Sequence, residues 1–342
     1  FEPGEGLELG CNPEIDRDGD NVPDNLDIEG KTDWSNCSLL GLDLSNLDLS
    51  DANLSGSSLY AADLHNTNLS GADLSHSQIY KANITNTDFT YANLSYANLC
   101  GAGYGSDGQY VPEVGIAAFD FTGANLSYAD MDHTFLRDAN LTDTIITHTN
   151  FNNAVLTNVN LTGKDLTGTI LTGSNLTDAS LYDTSLVDKD LTGAILVRTD
   201  LSNTDLTGTI LTGADLTDVI LAGLDLSNMD LTGTILRGAD LTGANLTGVN
   251  LTGKDLTGTI LVRTDLSNMD LTGTILTEAD LSNSKLIDTD LTNANLKNTN
   301  LKHVLLVGAD LSNAILTNAN LSGATISEAI FTGSDLENAV LT

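Results

Sequence analysis

The sequence predicts an all-β solenoid, because a large apolar residue recurs every five positions over most of its 342 residues. The recurrence runs from Leu39 to Leu99 as 13 repeats and, after a slip in phase, from Phe121 to Leu341 as 45 repeats. A small residue precedes each centre by two positions, Asp or Asn precedes it directly, and Ser or Thr usually follows. A period of five matches neither the period of a helix nor the alternation of a strand, so the chain must turn every five residues.

The recurring triplets Ala-Asn-Leu, Ala-Asp-Leu and Thr-Asp-Leu resemble the A(D/N)LXX motif of the pentapeptide-repeat family, over about nine-tenths of the chain. The resemblance implies a right-handed quadrilateral parallel β-helix with four pentapeptides per coil and about 14 coils in all. It also implies that the central residue and the small residue two before it face inward. Coils stacked about 4.8 Å apart would then pair backbone with backbone, as neighbouring strands do.

The repeat and its interruptions divide the chain into four segments. We interpret them as a calcium-binding segment at 1–34, a first repeat block at 35–99, a loop insertion at 100–120 and a second repeat block at 121–342. Loops on rigid scaffolds often carry function, so the insertion is either a recognition tip or a tolerated addition. Its candidate recognition residues are Tyr104, Tyr110 and Pro112.

Composition limits the classes of partner and activity. The formal net charge is −34 at pH 7, so phosphate backbones would be repelled and no direct nucleic-acid ligand is expected. No run of 18 apolar residues occurs, so the sequence predicts no membrane span. No spaced Ser/His/Asp set, HExxH motif or phosphate-binding loop occurs, and we expect no enzyme. Because the first residue is Phe1 rather than Met, we interpret the chain as a processed product or a fragment.

Residues 16–27 carry a different signal, because their acidic residues fall at loop positions 1, 3, 5, 9 and 12. This spacing wraps oxygen ligands around a hard cation, as an EF-hand loop does, although the Gly lies at position 4 instead of 6. The segment resembles a thrombospondin type 3 calcium repeat, which implies Ca²⁺ as a cofactor; a solvated acidic turn is the alternative. The predicted ligands are the carboxylates of Asp16, Asp18, Asp20 and Asp27, Asp24 directly or through water, and the Val22 carbonyl.

The calcium motif and the cysteines both bear on the compartment. Loops of this kind suit millimolar calcium, so we expect the protein outside the cell or on the cell surface. Cys11 and Cys37 flank the acidic segment and either form a disulfide across it or remain reduced. Cys100 stays unpaired if they do form one.

With 20 residues in each coil, positions 20 apart stack into columns along the solenoid. One outward column of the second block alternates between Ile and Asp or Asn. The alternation separates carboxylates that would repel one another, and it also leaves an apolar stripe for lateral contact with another copy. Both interpretations stay open. The predicted contact residues of the stripe are Ile195, Ile235 and Ile275.

A second outward column holds Thr or Ser at every twentieth position from Thr172 to Thr332. It resembles the flat Thr face of ice-binding β-solenoids. The plain interpretation is that Thr stacks well on Thr between neighbouring strands.

Three lysines, Lys164, Lys189 and Lys254, occupy the inward position that otherwise holds a small residue. A buried ammonium is costly unless it is hydrogen-bonded. The stacked neighbours of all three are Thr, for instance Thr234 and Thr274 around Lys254. We therefore predict Lys–Thr hydrogen bonds inside the bore.

Together these features favour a scaffold over an enzyme. The repeat runs to Leu341 without a capping element, so we expect either that the chain is a fragment or that something covers the last coil, for which a second copy stacked head-to-tail is the obvious candidate. The leading hypothesis is an extracellular structural protein, a calcium-stabilised rod or the subunit of a head-to-tail filament. The alternative is a DNA-mimicking rod that binds DNA gyrase, as some pentapeptide-repeat proteins do, because charge and shape both fit. Ice binding through the Thr column is a further alternative.

Overall fold

The computed structural model describes residues 32–99 and 119–342, together with the backbone of residues 103–104 and 110–111. The repeat folds as predicted into a parallel β-solenoid, since bridges join positions 20 apart, such as Asp33 with Asn53. A bridge position recurs every five residues, so each coil has four sides. No helix is present among the described residues. The chain forms two compact units, Phe1–Leu176 and Thr177–Thr342.

Each repeat combines three extended residues with a β-turn. In the repeat centred on Leu54, the amide of Ser57 donates to the Leu54 carbonyl at 3.1 Å and closes the turn. Gly56, the third residue of that turn, has a φ of 66°, which is the left-handed conformation that a type II turn requires. The Leu54 amide donates to the Asp73 carbonyl of the next coil at 2.7 Å, and the Asp73 amide donates back to the Ala52 carbonyl at 2.9 Å. The extended residues therefore form the ladder and the turns form the corners.

The Asp or Asn before each centre holds the following turn. Oδ1 of Asp205 accepts hydrogen bonds from the Thr207 amide at 2.9 Å and from the Thr207 hydroxyl at 2.7 Å. These bonds, the hydroxyl bond first, stabilise the ionised carboxylate and hold the pKa of Asp205 below its usual value. The same arrangement recurs in both units, for example where Oδ1 of Asp73 accepts from the Ser75 amide at 2.9 Å. Many of the acidic side chains of the repeats thus accept hydrogen bonds that stabilise the turns.

The core is a stack of central residues, as the repeat predicts. Central side chains from Leu39 to Leu321 are buried almost completely, and the small residues two positions before them are mostly buried too. Inward Thr residues satisfy their hydroxyls on carbonyls of central residues, as Thr264 does on Leu241 of the preceding coil at 3.0 Å. A Thr hydroxyl can therefore replace Ala inside the coil with its donor satisfied, whereas the buried hydroxyl of Ser57 has no hydrogen-bond partner among the described residues.

The slip in phase between the two repeat blocks corresponds to an insertion of 17 residues. Asn93 pairs with Asp130, which lies 37 positions further along instead of the usual 20. Within the intervening segment, strand β1 (Gly103–Tyr104) pairs antiparallel with strand β2 (Tyr110–Val111), with Gly103 opposite Val111. The ladder of the first unit therefore resumes in register after the insertion.

The ladder of the second unit is interrupted locally after two bulky inward side chains. Met229 and Val249 occupy inward positions of the second unit that usually hold Ala, Ser or Thr. Among the described residues, Asp230 and Asn250, which follow them directly, take part in no bridge. Bulk at the inward position does not by itself break the ladder, because Asp270 follows Met269 and still pairs with Asp290.

Candidate interaction surface

The predicted calcium loop, residues 16–27, lies outside the described residues, as do Cys11, Cys100 and Pro112. Its ligand set therefore stays a prediction: Asp16, Asp18, Asp20, Val22, Asp24 and Asp27. Within the described ranges, no group of three or more His, Cys, Asp or Glu side chains could hold a metal ion. Cys37 is disulfide-bonded, and its partner lies outside the described ranges.

Two of the inward lysines, Lys164 and Lys254, bind main-chain carbonyls more closely than Thr hydroxyls. Nζ of Lys164 donates to the Thr144 carbonyl at 2.9 Å. Nζ of Lys254 donates to the Leu231 carbonyl at 2.7 Å, whereas the carbonyl and hydroxyl oxygens of Thr234 both lie 3.4 Å away. The predicted bond from a lysine to the preceding coil is confirmed, but the hydroxyl as its main acceptor is wrong. The Thr234 hydroxyl itself donates to the Leu231 carbonyl at 2.6 Å, so it shares that acceptor with the amine.

These lysines also lie less deep than predicted. Lys164, Lys189 and Lys254 are half-buried, because a four-carbon side chain does not fit within a bore built for Ala and Thr. Burial lowers the pKa of Lys164 and Lys254, and Asp143 and Asp230 respectively oppose that shift. The prediction of ammonium groups enclosed in the bore is therefore wrong.

The outward Ile residues of the second unit alternate with Asp or Asn on two adjacent sides. Bridges stack Ile195 on Asp215 and Asp215 on Ile235, as the 20-residue coil predicts. The adjacent side carries Ile220 and Ile260 in the coils whose first side carries Asp. The Ile side chains on both sides remain between 37% and 45% exposed.

In the first unit, Asn residues relieve the repulsion between carboxylates stacked in one column. There Asp alternates with Asn, and the Asn amide donates to the carboxylate of the preceding coil. Nδ2 of Asn93 lies 3.1 Å from Oδ1 of Asp73, and Nδ2 of Asn150 lies 2.8 Å from Oδ1 of Asp130. Since Asn separates stacked carboxylates and donates a hydrogen bond to one of them, charge relief alone does not require Ile in the second unit.

The Thr column is regular but single. In the second unit the Gly193 amide donates to the Thr212 carbonyl at 3.0 Å, and the Gly253 amide donates to the Thr272 carbonyl at 3.0 Å. These bonds fix the Thr residues at the coil spacing, which accounts for the column through strand geometry. The outward columns on the two adjacent sides are mixed, since they combine Thr and Ser with Val, Ile, Lys, Glu or Arg, as at Arg237.

Two stacks of aromatic and imidazole rings cover adjacent corners of the first unit, and sequence reasoning missed them. The stacks are Tyr91–Tyr128–His148 and His76–Tyr96–His133. Neighbouring ring centroids lie 4.4 to 5.1 Å apart with interplanar angles of 18° or less. Residues 92–94 and 129–131 form the side between these corners. The sequence signal was a ring at every twentieth position, but the 17-residue insertion hides the alignment of Tyr91 with Tyr128.

All six rings stand at the left-handed corner of their turns, with φ between 57° and 62°. Bulky residues in this conformation cost about 1 to 3 kcal/mol each, and Gly, Asn and Asp fill most other corners. A stacked aromatic pair returns about 0.5 to 1.5 kcal/mol, so the rings are not explained by stability alone. Three of them remain well exposed, namely Tyr91, Tyr96 and Tyr128.

These features define a class of protein: a four-sided parallel solenoid assembled from five-residue units, each of which holds its own turn and presents outward columns. The chain belongs to the pentapeptide-repeat family. The description "Pentapeptide repeats (8 copies)" matches it in overlapping segments that together cover residues 31–102 and 120–342. No curated protein matches the chain.

Several solved structures are similar to this chain. A trypsin-treated variant of QnrB1, a plasmid-mediated fluoroquinolone resistance protein, is 16% identical, with 52% of this chain and 89% of that chain covered and a TM-score of 0.37. HetL, involved in heterocyst differentiation regulation in the cyanobacterium Nostoc, is 26% identical, with 88% and 90% covered and a TM-score of 0.17. A pentapeptide repeat protein from the cyanobacterium Cyanothece is 27% identical, with 38% and 90% covered and a TM-score of 0.26.

Proposed function

We propose that the protein is an extracellular structural scaffold that presents interaction surfaces on a pentapeptide-repeat solenoid. The observation that carries the proposal is that the polar side chains of the described coils are engaged in holding the solenoid together. Carboxylates such as Asp205 are engaged in holding turns, and the inward lysines in joining coils, along the described coils rather than at one centre. A convex surface of this kind suits binding along its columns better than catalysis in a cleft.

The disulfide at Cys37 supports an oxidising compartment, because disulfides persist outside the cell and are rare in the cytosol. The acidic segment at 16–27 supports the same compartment if it binds calcium at millimolar concentration. We include Ca²⁺ in the proposal as the ion that orders this segment. No helix in the described part of the chain is long and apolar enough to cross a membrane.

We further propose that copies associate laterally through the column that contains Ile195, Ile235 and Ile275. Each of these side chains is 38% to 45% exposed, at positions where Asn would relieve charge equally well. Two copies share the same coil spacing, so an Ile column on one keeps its register with an Ile column on the other. Head-to-tail stacking of coils is a second mode of assembly compatible with the same ladder.

Electron microscopy and sedimentation velocity, with calcium and with a chelator, test the proposal. The variant Ile235→Asn/Ile275→Asn should weaken assembly, because it removes the apolar contact and introduces an amide whose oxygen can accept from the following turn, as Asn does elsewhere in the repeats. Ile210→Asn is the matched control, since Ile210 is 48% exposed but lies on another side. Wild-type protein that stays monomeric in both conditions would refute the self-association; loss of assembly in the control would refute the stripe.

A DNA-mimicking protein that binds DNA gyrase is the second candidate. The observation that favours it is a column in which carboxylates follow one another without interruption, Asp270 on Asp290 on Asp310. Such a column would offer a basic DNA-binding groove a regular row of negative charge. Inhibition of gyrase supercoiling by the purified protein, abolished by Asp290→Asn/Asp310→Asn, would favour this candidate over the extracellular scaffold.

A further inference from the structure

We propose that an opening in the ladder of the second unit binds a small molecule that carries both a carboxylate and hydroxyl groups, namely a sugar acid. The opening lies at the corner that contains Gly248, between residues 244–251 and the coil that follows. The guanidinium group of Arg263 lies at its edge and would anchor the carboxylate. The site depends neither on association between copies nor on calcium.

The ladder is intact at this corner both before and after the opening. In the interval before it, the Leu226 amide donates to the Asn245 carbonyl of the next coil at 2.9 Å. In the interval after it, the Leu266 amide donates to the Lys285 carbonyl at 2.8 Å. The opening is therefore confined at this corner to one interval between two coils.

Within that interval the equivalent main-chain bonds are absent. The amides of Leu246 and Gly248 donate to no acceptor among the residues that the structure describes. The carbonyls of Ala244 and Ser267 accept from no donor in the same part of the chain. In the intact intervals the corresponding groups bond across from one coil to the next, so these four groups face the gap. Main-chain groups without a protein partner need one from outside.

A cavity of about 710 Å³ occupies the opening. Its lining combines Ala244 and Gly248 of one coil with Arg263, Ser267 and Met269 of the next. The volume lies within the roughly 300 to 1,000 Å³ that is typical of small-molecule sites. There is therefore room for a ligand at the place where the main chain lacks partners.

Arg263 supplies a positive charge that no carboxylate of the described residues neutralises. It forms no ion pair with them, whereas Arg198 holds Asp178 at 2.6 Å. The nearby carboxylate of Asp265 is engaged by Lys285, with Nζ 3.1 Å from Oδ2. A planar guanidinium binds a carboxylate with two parallel N–H···O bonds. Arg263 is thus available for a carboxylate that comes from outside the chain.

The unpaired main-chain groups favour hydroxyls on the same ligand. A simple anion would accept from the amides of Leu246 and Gly248 but would leave the carbonyls of Ala244 and Ser267 without donors. A hydroxyl both donates and accepts, so it can serve either kind of group. The net charge of −34 repels anions at a distance, but salt screens this repulsion beyond about 8 Å at physiological ionic strength. The charge of Arg263 therefore dominates inside the cavity.

A second opening in the same corner column provides a comparison within the protein. There the amides of Leu206 and Gly208 likewise donate to no acceptor in the described part of the chain. The position equivalent to Arg263 holds Gly223. This opening repeats the unpaired main chain without the arginine, and we expect it not to bind the sugar acid.

Titration with D-glucuronate, monitored by NMR at the main-chain amides of Leu246 and Gly248, tests the site. Wild-type protein should show saturable shifts at these amides. Arg263→Gln should weaken binding by roughly 10- to 100-fold, because it removes a charge-assisted pair of hydrogen bonds. D-glucose, which lacks the carboxylate, and acetate, which lacks the hydroxyls, should each bind more weakly than D-glucuronate.

Gly248→Asn tests the cavity itself. A Cβ at Gly248 would overlap Oδ1 of Asn228, which shows that corner side chains lean toward the following coil. The side chain that this substitution introduces would therefore extend over the opening and block the ligand. Asn occupies the same corner at 228 and 268, so the change suits the fold. Loss of D-glucuronate binding is the expected result.

Two matched controls accompany these variants. Arg137→Gln removes the same charge in the first unit, and Gly208→Asn makes the same substitution at the opening without an arginine. Both should bind D-glucuronate as the wild type does. Absence of saturable shifts in the wild type, or an equal loss in Arg137→Gln, would overturn the site. Equal binding of D-glucose would overturn the role of the carboxylate, and equal binding of acetate would overturn that of the hydroxyls.

Discussion

Nδ2 of Asn93 donates to Oδ1 of Asp73 across one coil at 3.1 Å, and the same carboxylate oxygen holds the Ser75 amide. One oxygen therefore links the turn of its own repeat to the ladder of the next coil. This pairing explains why the motif accepts both Asp and Asn at one position: where the two alternate, the carboxylate gains a donor in place of a second charge.

Replacement of Asn93 by Asp should destabilise the first unit by about 1 to 2 kcal/mol, because a hydrogen bond is lost and three carboxylates, at positions 73, 93 and 130, then stack about 4.8 Å apart. Thermal unfolding should show a lower Tm for Asn93→Asp, and added salt should reduce the difference, since salt screens the repulsion. Asn93→Ser, which removes the donor without adding charge, is the control. A deficit that does not respond to salt would contradict the electrostatic explanation.

Lys254→Thr should stabilise the second unit by about 1 kcal/mol, which corresponds to a Tm about 2 to 4 °C higher. Thr fits the inward position, as Thr274 does with its hydroxyl on the Leu271 carbonyl at 2.8 Å. The change also removes a half-buried ammonium whose pKa burial lowers. Differential scanning calorimetry against Lys302→Thr, an exposed site, measures the effect. A lower Tm for Lys254→Thr would mean that the bond to the Leu231 carbonyl outweighs the cost of burial.

Acid should unfold the solenoid through its turn carboxylates. Hydrogen bonds from Thr207 and Thr272 lower the folded-state pKa of Asp205 and Asp270. A lowered folded pKa contributes stability above the unfolded value of about 3.9, and that contribution is lost as pH falls through the folded pKa. Circular dichroism melts from about pH 6 down to about pH 2 should show a falling Tm. Thr207→Val/Thr272→Val should flatten the fall, and an unchanged slope would contradict the assignment.

Removal of calcium should affect the N-terminal segment and leave the repeats intact. Isothermal titration should detect a Ca²⁺ site that Asp18→Asn/Asp20→Asn abolishes, because carboxylate ligands set the affinity of such loops. The matched control is Asp43→Asn, since Asp43 holds a turn in the repeats through the Ser45 amide and hydroxyl. Calcium binding that survives in the loop variant would refute the ligand set.

Much of the fold could be predicted from the sequence because the repeat encodes it locally. A period of five places one turn in each unit, and inward residues such as Leu54 and Ala52 alternate with outward residues such as Asn53. The same regularity predicted the 20-residue columns of Ile and Thr. Both follow from covalent spacing and the burial of apolar side chains, which need no knowledge of distant contacts.

Other properties were decided by the tertiary structure. The partner of the Lys254 amine depended on how far a long side chain reaches in a bore sized for Thr, and the sequence does not state that width. The stack of Tyr91 on Tyr128 depended on how the ladder closes over an insertion, since 37 residues separate two rings that lie 4.7 Å apart. Sequence spacing determines which residues share a column. The contacts between side chains of successive coils determine which parts of those side chains stay exposed to solvent.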